Sequence, residues 1–417
     1  MKNNLNNLLT DSDVRLPKGF SYGSYEGGIK NGHRDTSLIL ADVPCTCAGV
    51  YTRNAVKAHC VVRNRNLTAD SDSRVRALTA NSGNANACTG KEGQESNLRF
   101  ASAVAKALGC RPEEVLTAST GVIGVQLPIE SIEENAVNAG TTLGRSPDHF
   151  LSAAEAIMTT DTKRKCASFS YEFDGEIITI SGMAKGSGMI HPNMGTMLAF
   201  ITTDAILPSS VLQSTLRLVA DETFNMVSVD GDTSTNDMLL ILAPGTDAGT
   251  MKANGDNHDY AGFFRTALQE VCRYLAVEIA RDGEGASKLL RCRVEGAASL
   301  SSARLLAKEV IGSSLVKCAF FGEDANWGRI IAAMGYSGVE FTEESVSISF
   351  RSFDQSKTVS LMKDGTPIVF SEEKASEILS EKEIEIFISM NDGSASATAW
   401  GCDLTYDYVK INGDYRT

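Results

Sequence analysis

Apolar residues in this chain gather in strand-sized runs and never approach the roughly 20 consecutive apolar residues of a membrane-spanning helix. Met238-Leu239-Leu240-Ile241-Leu242-Ala243 and Met197-Leu198-Ala199-Phe200-Ile201 are clear cases, and both read as strands. Glu176-Ile177-Ile178-Thr179-Ile180 is β-branched and reads the same way, as do Ser37-Leu38-Ile39-Leu40 and Cys60-Val61-Val62. Val346, Ile348 and Phe350, then Ile384, Ile386 and Ile388, alternate with polar residues, which predicts half-buried antiparallel strands. Between these lie helix patterns. Leu98, Ala101, Val104, Ala105 and Leu108 share one face over residues 97–108, and Pro208-Ser209-Ser210 offers a helix start. The longest pattern covers residues 260–281, with Phe264, Ala267, Leu268, Val271, Leu275 and Ile279 on one face. It is expected to stop at Asp282-Gly283, the glycine taking the left-handed conformation that ends helices. Strands and helices are mixed throughout, so α+β is favoured over a doubly wound parallel sheet. A length of 417 residues allows two to three units of about 150 residues each.

Charge narrows the possible partners. With 39 basic against 52 acidic side chains, the net charge of −13 argues against nucleic acid and against anionic membrane surfaces. Lys2, Asp11, Asp13, Arg15 and Lys18 interrupt the N-terminal region, so no signal peptide and a cytoplasmic location are expected. The 10 cysteines are too dilute for a disulfide framework, and the Cys45–Cys47 spacing fits neither a zinc knuckle nor a thioredoxin motif. His33, His59, His149, His191 and His258 are too scattered for a helical zinc pair, so no metal is expected.

Several nucleotide signatures begin and then fail. Ala85-Asn86-Ala87-Cys88-Thr89-Gly90-Lys91 resembles a phosphate loop, but Ala85 replaces its first glycine and Glu92 its metal-binding hydroxyl. Gly186-Ser187-Gly188 has His191 where a dinucleotide fold needs its third glycine. The unusual segment is residues 185–196, a turn-rich loop that runs through Gly195 into Thr196 at the mouth of an apolar strand. An unhindered glycine carbonyl before a threonine hydroxyl suits an N→O acyl shift. Cleavage there frees an α-amine (ordinary pKa about 7.7–8.0) able to act as base toward its own hydroxyl. The competing reading is a loop whose threonine simply starts a strand. Ala118-Ser119-Thr120-Gly121-Val122-Ile123-Gly124 is a small turn suited to holding an oxyanion, and residues 81–90 form a polar loop whose asparagines need partners if buried.

Together these stretches resemble the ornithine acetyltransferase family, the glutamate N-acetyltransferases of arginine biosynthesis. The resemblance covers essentially the whole chain. It includes Gly49-Val50-Tyr51-Thr52-Arg53-Asn54, Met158-Thr159-Thr160-Asp161-Thr162 and Asp230-Gly231-Asp232-Thr233-Ser234-Thr235-Asn236-Asp237. It continues through Asp282-Gly283-Glu284-Gly285-Ala286 and Gly322-Glu323-Asp324-Ala325-Asn326-Trp327-Gly328-Arg329 to residues 412–417. It implies an N-terminal-nucleophile-like fold that cleaves itself between Gly195 and Thr196, leaving halves 1–195 and 196–417 that pair into an α2β2 assembly. It further implies that Thr196 carries the acetyl group, and that Thr120 and Gly121 hold the oxyanion. Its substrate contacts fall on Thr159, Lys185, Thr196, Glu284, Asn412 and Thr417. One departure is Gly195, where the family usually has alanine.

The implied reaction moves acetyl from N-acetylornithine to glutamate. It exchanges one amide for another, so it needs no ATP and no cofactor, in keeping with the failed phosphate loop. Acetyl-CoA as a second donor stays open, and so does a rival reading in which water takes the acyl group, an aminopeptidase or amidase. Lys185 either keeps the nucleophilic amine unprotonated or binds a substrate carboxylate. Residues 404–411 are aromatic and β-branched, which predicts a strand or docked extended segment that brings the tail over the pocket.

Overall fold

A computed structural model describes residues 7–70, 74–191, 197–244 and 257–414. In chain order, β1 (Leu8–Thr10), β2 (Phe20–Tyr25) and β3 (Thr36–Tyr51) precede α1 (His59–Ala69), β4 (Val75–Asn84), α2 (Gly90–Leu108) and β5 (Val115–Val122). Then α3 (Ile129–Asn135) and α4 (Pro147–Ala156) lead to β6 (Lys165–Phe173), β7 (Glu176–Lys185), β8 (Leu198–Thr203) and α5 (Ser209–Glu222). Next come β9 (Val227–Ser228), β10 (Met238–Pro244), α6 (Asn257–Arg281), β11 (Leu289–Ala297), α7 (Leu300–Gly312), α8 (Ser314–Phe321) and α9 (Trp327–Gly335). The chain ends with β12 (Val346–Ser352), β13 (Thr358–Lys363), β14 (Thr366–Pro367), α10 (Glu372–Leu379), β15 (Glu383–Met390), β16 (Ala395–Cys402) and α11 (Tyr406–Asp414).

Among the described residues these strands form two sheets. One has 9 strands in the order β1-β6-β7-β8-β10-β3-β4-β5, with β2 also paired to β3. The other has 7 in the order β14-β13-β12-β15-β11-β16-β9. Both mix parallel and antiparallel pairs, which gives the expected α+β class. Strands β8 and β10 are covered on both faces, which is why they read as unbroken apolar runs. Ala199, Ile201, Leu239 and Ile241 pack with α5 and α6, while Leu198, Phe200, Leu240 and Leu242 pack with α1 and α4. Phe264, Leu268, Val271, Leu275 and Ile279 of α6 join a core that continues into the second sheet through Leu290 and Val294. The two sheets therefore share one core. No helix among the described residues is long and apolar enough to cross a membrane.

Four local expectations need correction. Cys60-Val61-Val62 lies in α1, which buries Cys60, Val61 and Asn64 while Val62 faces out. A three-residue apolar run cannot fix a period, and the i, i+1, i+4 burial is helical. Residues 118–122 belong to β5 and do not form a turn. Helix α6 does stop at Arg281, but Gly283 is not left-handed; Gly285 is, at φ +67°. Gly283 is needed for space instead, since a Cβ there would lie 2.6 Å from Cys402 Sγ. The C-terminal segment is helical, because Thr405 Oγ1 accepts from the N–H groups of Asp407 (3.2 Å) and Tyr408 (3.4 Å) and caps the first turn of α11. The antiparallel expectation holds for β12 against β13 and β15, but β15 runs parallel to β11 on its other side.

Candidate active site

Lys185, Leu198, Met238 and Tyr51 stand in one row across β7, β8, β10 and β3. Beside this row a cavity of about 150 Å³ opens, lined by Thr120, Gly121, Thr159, Lys185, Glu284 and Asn412 together with Met197. Six of the residues singled out from sequence thus meet at one place, although three separate elements and two loops supply them. Gly195, Thr196 and Thr417 lie outside the described residues.

One wall is tied together by neutral amides, with Asp237 beside them. Thr120 and Gly121 end β5, where Gly121 sits at φ +135° and a Cβ would lie 2.3 Å from the Gly83 carbonyl carbon. Only glycine fits so close an approach. Asn236 Nδ2 donates to the carbonyls of Ala85 (2.6 Å) and Ser119 (2.7 Å), tying the segment before β10 to the ends of β4 and β5. Asn81 Oδ1 accepts from Ser119 Oγ at 2.7 Å, and its Nδ2 donates to Asn84 O at 2.8 Å. Asn84 donates in turn to Val125 O and Gln126 O, both at 3.1 Å. The polar stretch at 81–86 is therefore a buried, partnered scaffold, and the need for partners read from sequence is met inside the protein.

The other wall is ionic. Lys165 Nζ lies 2.7 Å from Asp161 Oδ1 and 2.6 Å from Asp282 Oδ2, with all three side chains buried. Asp161 also accepts from Gly186 N (2.6 Å) and Thr159 N (3.1 Å), so one carboxylate fixes the backbone beside two candidate site residues. Burial opposes ionisation of Asp161, but Lys165, Lys185 and the Gly186 N–H outweigh it and hold the carboxyl below its ordinary value. Burial pushes Lys185 below the ordinary lysine value, against the pull of Asp161. Its Nζ donates to Thr120 Oγ1 at 3.1 Å, which leaves the Thr120 proton free to turn elsewhere.

Glu284 accepts from Thr160 Oγ1 at 2.6 Å and from Asn412 Nδ2 at 2.7 Å, joining α11 to the cavity. Gly188 makes room for it, since a Cβ there would lie 2.3 Å from the Glu284 carboxyl carbon. Asp230 accepts from Ile190 N at 2.8 Å and Tyr408 Oη at 3.2 Å, a second tie to α11. Sequence reasoning gave no role to Thr160, Asp161, Lys165, Asp230, Asn236 or Asp282. All but Lys165 lie in stretches that carried the resemblance, and that density of small polar residues was the available signal. Among the described residues, no group of three His, Cys, Asp or Glu is placed to hold a metal ion. His191 contacts Ser228 Oγ at 3.0 Å and is pushed down to about 4 by burial and then by Lys308, so it stays neutral near pH 7.

Residues 21–417 match the model of the ArgJ family. The chain is 50% identical over 407 residues to the arginine biosynthesis bifunctional protein ArgJ of Symbiobacterium thermophilum, covering 97% of this chain and 98% of that one. It is 46% identical over 402 residues to the protein of the same name from Thermotoga neapolitana, covering 96% and 100%. Among solved structures it is similar to ornithine acetyltransferase complexed with ornithine from Mycobacterium tuberculosis. That match has 36% identity and a TM-score of 0.42, and covers 45% of this chain and 97% of that one.

Proposed function

Because the chain belongs to the ArgJ family, we propose that it is a bifunctional acetyltransferase of arginine biosynthesis that moves acetyl from N-acetylornithine to glutamate through an ester on Thr196. Acetyl-CoA serves as its second donor, and no cofactor is required. The observation that carries this reading is the convergence of Thr120, Gly121, Thr159, Lys185, Glu284 and Asn412 on a cavity that Met197, the chain neighbour of Thr196, also lines.

In this reading the Thr196 hydroxyl first attacks the Gly195 carbonyl, and the peptide nitrogen leaves as an amine. Water then hydrolyses the ester to give fragments 1–195 and 196–417. The freed α-amine takes the hydroxyl proton as Thr196 attacks the acetyl carbonyl of N-acetylornithine. The Thr120 hydroxyl, whose oxygen already accepts from Lys185, donates to the resulting oxyanion. Collapse expels ornithine with the transferred proton. The glutamate amine then attacks the ester, the same oxyanion site is used again, and N-acetylglutamate leaves as Thr196 regains its proton. Lys185 gives the cavity a cation and Asp237 and Glu284 give it carboxylates, matching an amino acid that carries both charges. Cleavage at 195–196 cuts between β7 and β8, whose ladder from Lys185↔Leu198 to Ile180↔Thr203 keeps the halves together. Two such pairs form the α2β2 assembly.

On a denaturing gel the purified protein gives two fragments, and Thr196→Ala gives one chain without activity. Incubation with N-acetylornithine alone leaves acetyl on the peptide that begins at Thr196, and added glutamate removes it. A single-chain wild type that still turns over, or acetyl release that glutamate does not accelerate, defeats the reading.

A further inference from the structure

We propose that the groove between α1, the end of β3 and α5 binds a phosphate-bearing ligand, one hydrogen-bonded strap away from the reaction cavity. The groove encloses about 760 Å³, and Arg53, Lys57, Arg65 and Arg217 line it against one acid, Asp221. That balance opposes the rest of a chain whose net charge is −13. Asp221 is already engaged, accepting from Asn225 Nδ2 at 2.7 Å. Arg65 and Arg217 are exposed and make no ion pair among the described residues.

Backbone groups add to the same field. Helix α5 begins after Pro208 with no side-chain cap, and Ser209 and Ser210 of its first turn line the groove. The uncapped N–H groups and the positive end of the helix dipole favour an anion there. From Ser209 to Asp221 the helix rises about 18 Å, with Arg217 two turns along. A ligand with two linked anionic groups spans this arrangement better than a single phosphate. The shape is preformed, because Gln213 of α5 holds the Gly49 peptide through both its amide atoms, at 3.2 and 3.1 Å.

The strap ties the groove to the reaction. Thr52 lines the groove, while Ser234 and Asp237 line the cavity. Thr52 N donates to Asp237 O at 3.0 Å, and Thr52 Oγ1 donates to Ser234 O at 2.8 Å. Asn54 Nδ2 donates to Thr233 O at 2.9 Å. An anion drawn onto Arg53 and Lys57 therefore pulls on the backbone that walls the cavity. Two sources supply the chemistry: the nucleotide-diphosphate end of a CoA thioester, or a free nucleotide. The groove's cations and helix start do not depend on the reaction assigned above.

Calorimetric titration of the full-length enzyme with pyrophosphate, ADP and CoA, at low and raised salt, tests this. Saturable binding that weakens with salt, and at least a tenfold loss in Arg65→Gln/Arg217→Gln, supports the site. The variant is expected to melt like wild type and to keep its N-acetylornithine-to-glutamate rate when no anion is added. Tighter binding of CoA than ADP, with a raised KM for acetyl-CoA at unchanged kcat in the variant, identifies the thioester end as the source. Equal binding of ADP and CoA identifies a free nucleotide. No saturable binding of any of the three probes, or binding that the double variant leaves unchanged, overturns the proposal.

Discussion

On one side of the reaction cavity neutral amides make the ties: Asn81, Asn84 and Asn236 link the ends of β4 and β5 to the segment before β10. On the other side Lys165, Asp161 and Asp282 are charged and just as deeply buried. Each amide bond adds roughly 1 kcal/mol, and its geometry does not change with pH. The ionic wall is held as a set, because two buried carboxylates share one lysine and both lose their ion pair without it. The neutral wall is suited to fixing the oxyanion residues. The ionic wall sets the local potential and positions the loops that carry Thr159, Lys185 and Glu284.

Removing the shared cation tests this contrast hardest. Lys165→Met leaves Asp161 and Asp282 facing each other in the interior and is expected to cost about 3–5 kcal/mol of stability by denaturant unfolding. Adding Asp161→Asn to that variant should recover part of the loss. If Lys165→Met is as stable as wild type, the three groups do not act as a set.

Thr120→Ala acts on the neutral wall and on rate, with folding retained. Loss of one oxyanion donor is expected to lower kcat about 10²–10³-fold in both acetylation and deacetylation of the enzyme. A change in KM alone removes Thr120 from that role.

Asn236→Ala leaves the carbonyls of Ala85 and Ser119 without their donor, at an expected cost of about 1–3 kcal/mol. This loss should be the same at pH 5 and pH 8. A loss that varies across that range would mean that the neutral wall depends on the ionic one.

The smallest effect is the acid limb. The Asp161 carboxyl is held below its unfolded value of about 3.9. Its contribution is therefore complete above that pH and fades as pH falls through the folded value. Asp161→Asn should flatten the loss of stability below pH 4, while Asn236→Ala should leave its slope intact. Equal slopes in wild type and Asp161→Asn would show that other carboxylates govern acid unfolding.

Sequence alone determined the elements whose burial is continuous or repeats many times: α6 and β12 follow from periods that local burial imposes on side-chain spacing, β8 and β10 from unbroken apolar runs, and the α+β class from their mixture. It also named Thr120, Gly121, Thr159, Lys185, Glu284 and Asn412, through whole stretches of resemblance and not through spacing. Tertiary structure alone decided what short or distant signals could not. Cys60-Val61-Val62 became helix because three residues carry no period, and the tail became helix because Thr405 caps it while its own hydroxyl is held by Gly285 O at 2.6 Å. The Lys165–Asp282 pair joins the start of β6 to the end of α6 across 117 residues. No pattern along the chain encodes that contact, because a buried ion finds its partner only once the core has packed both elements together.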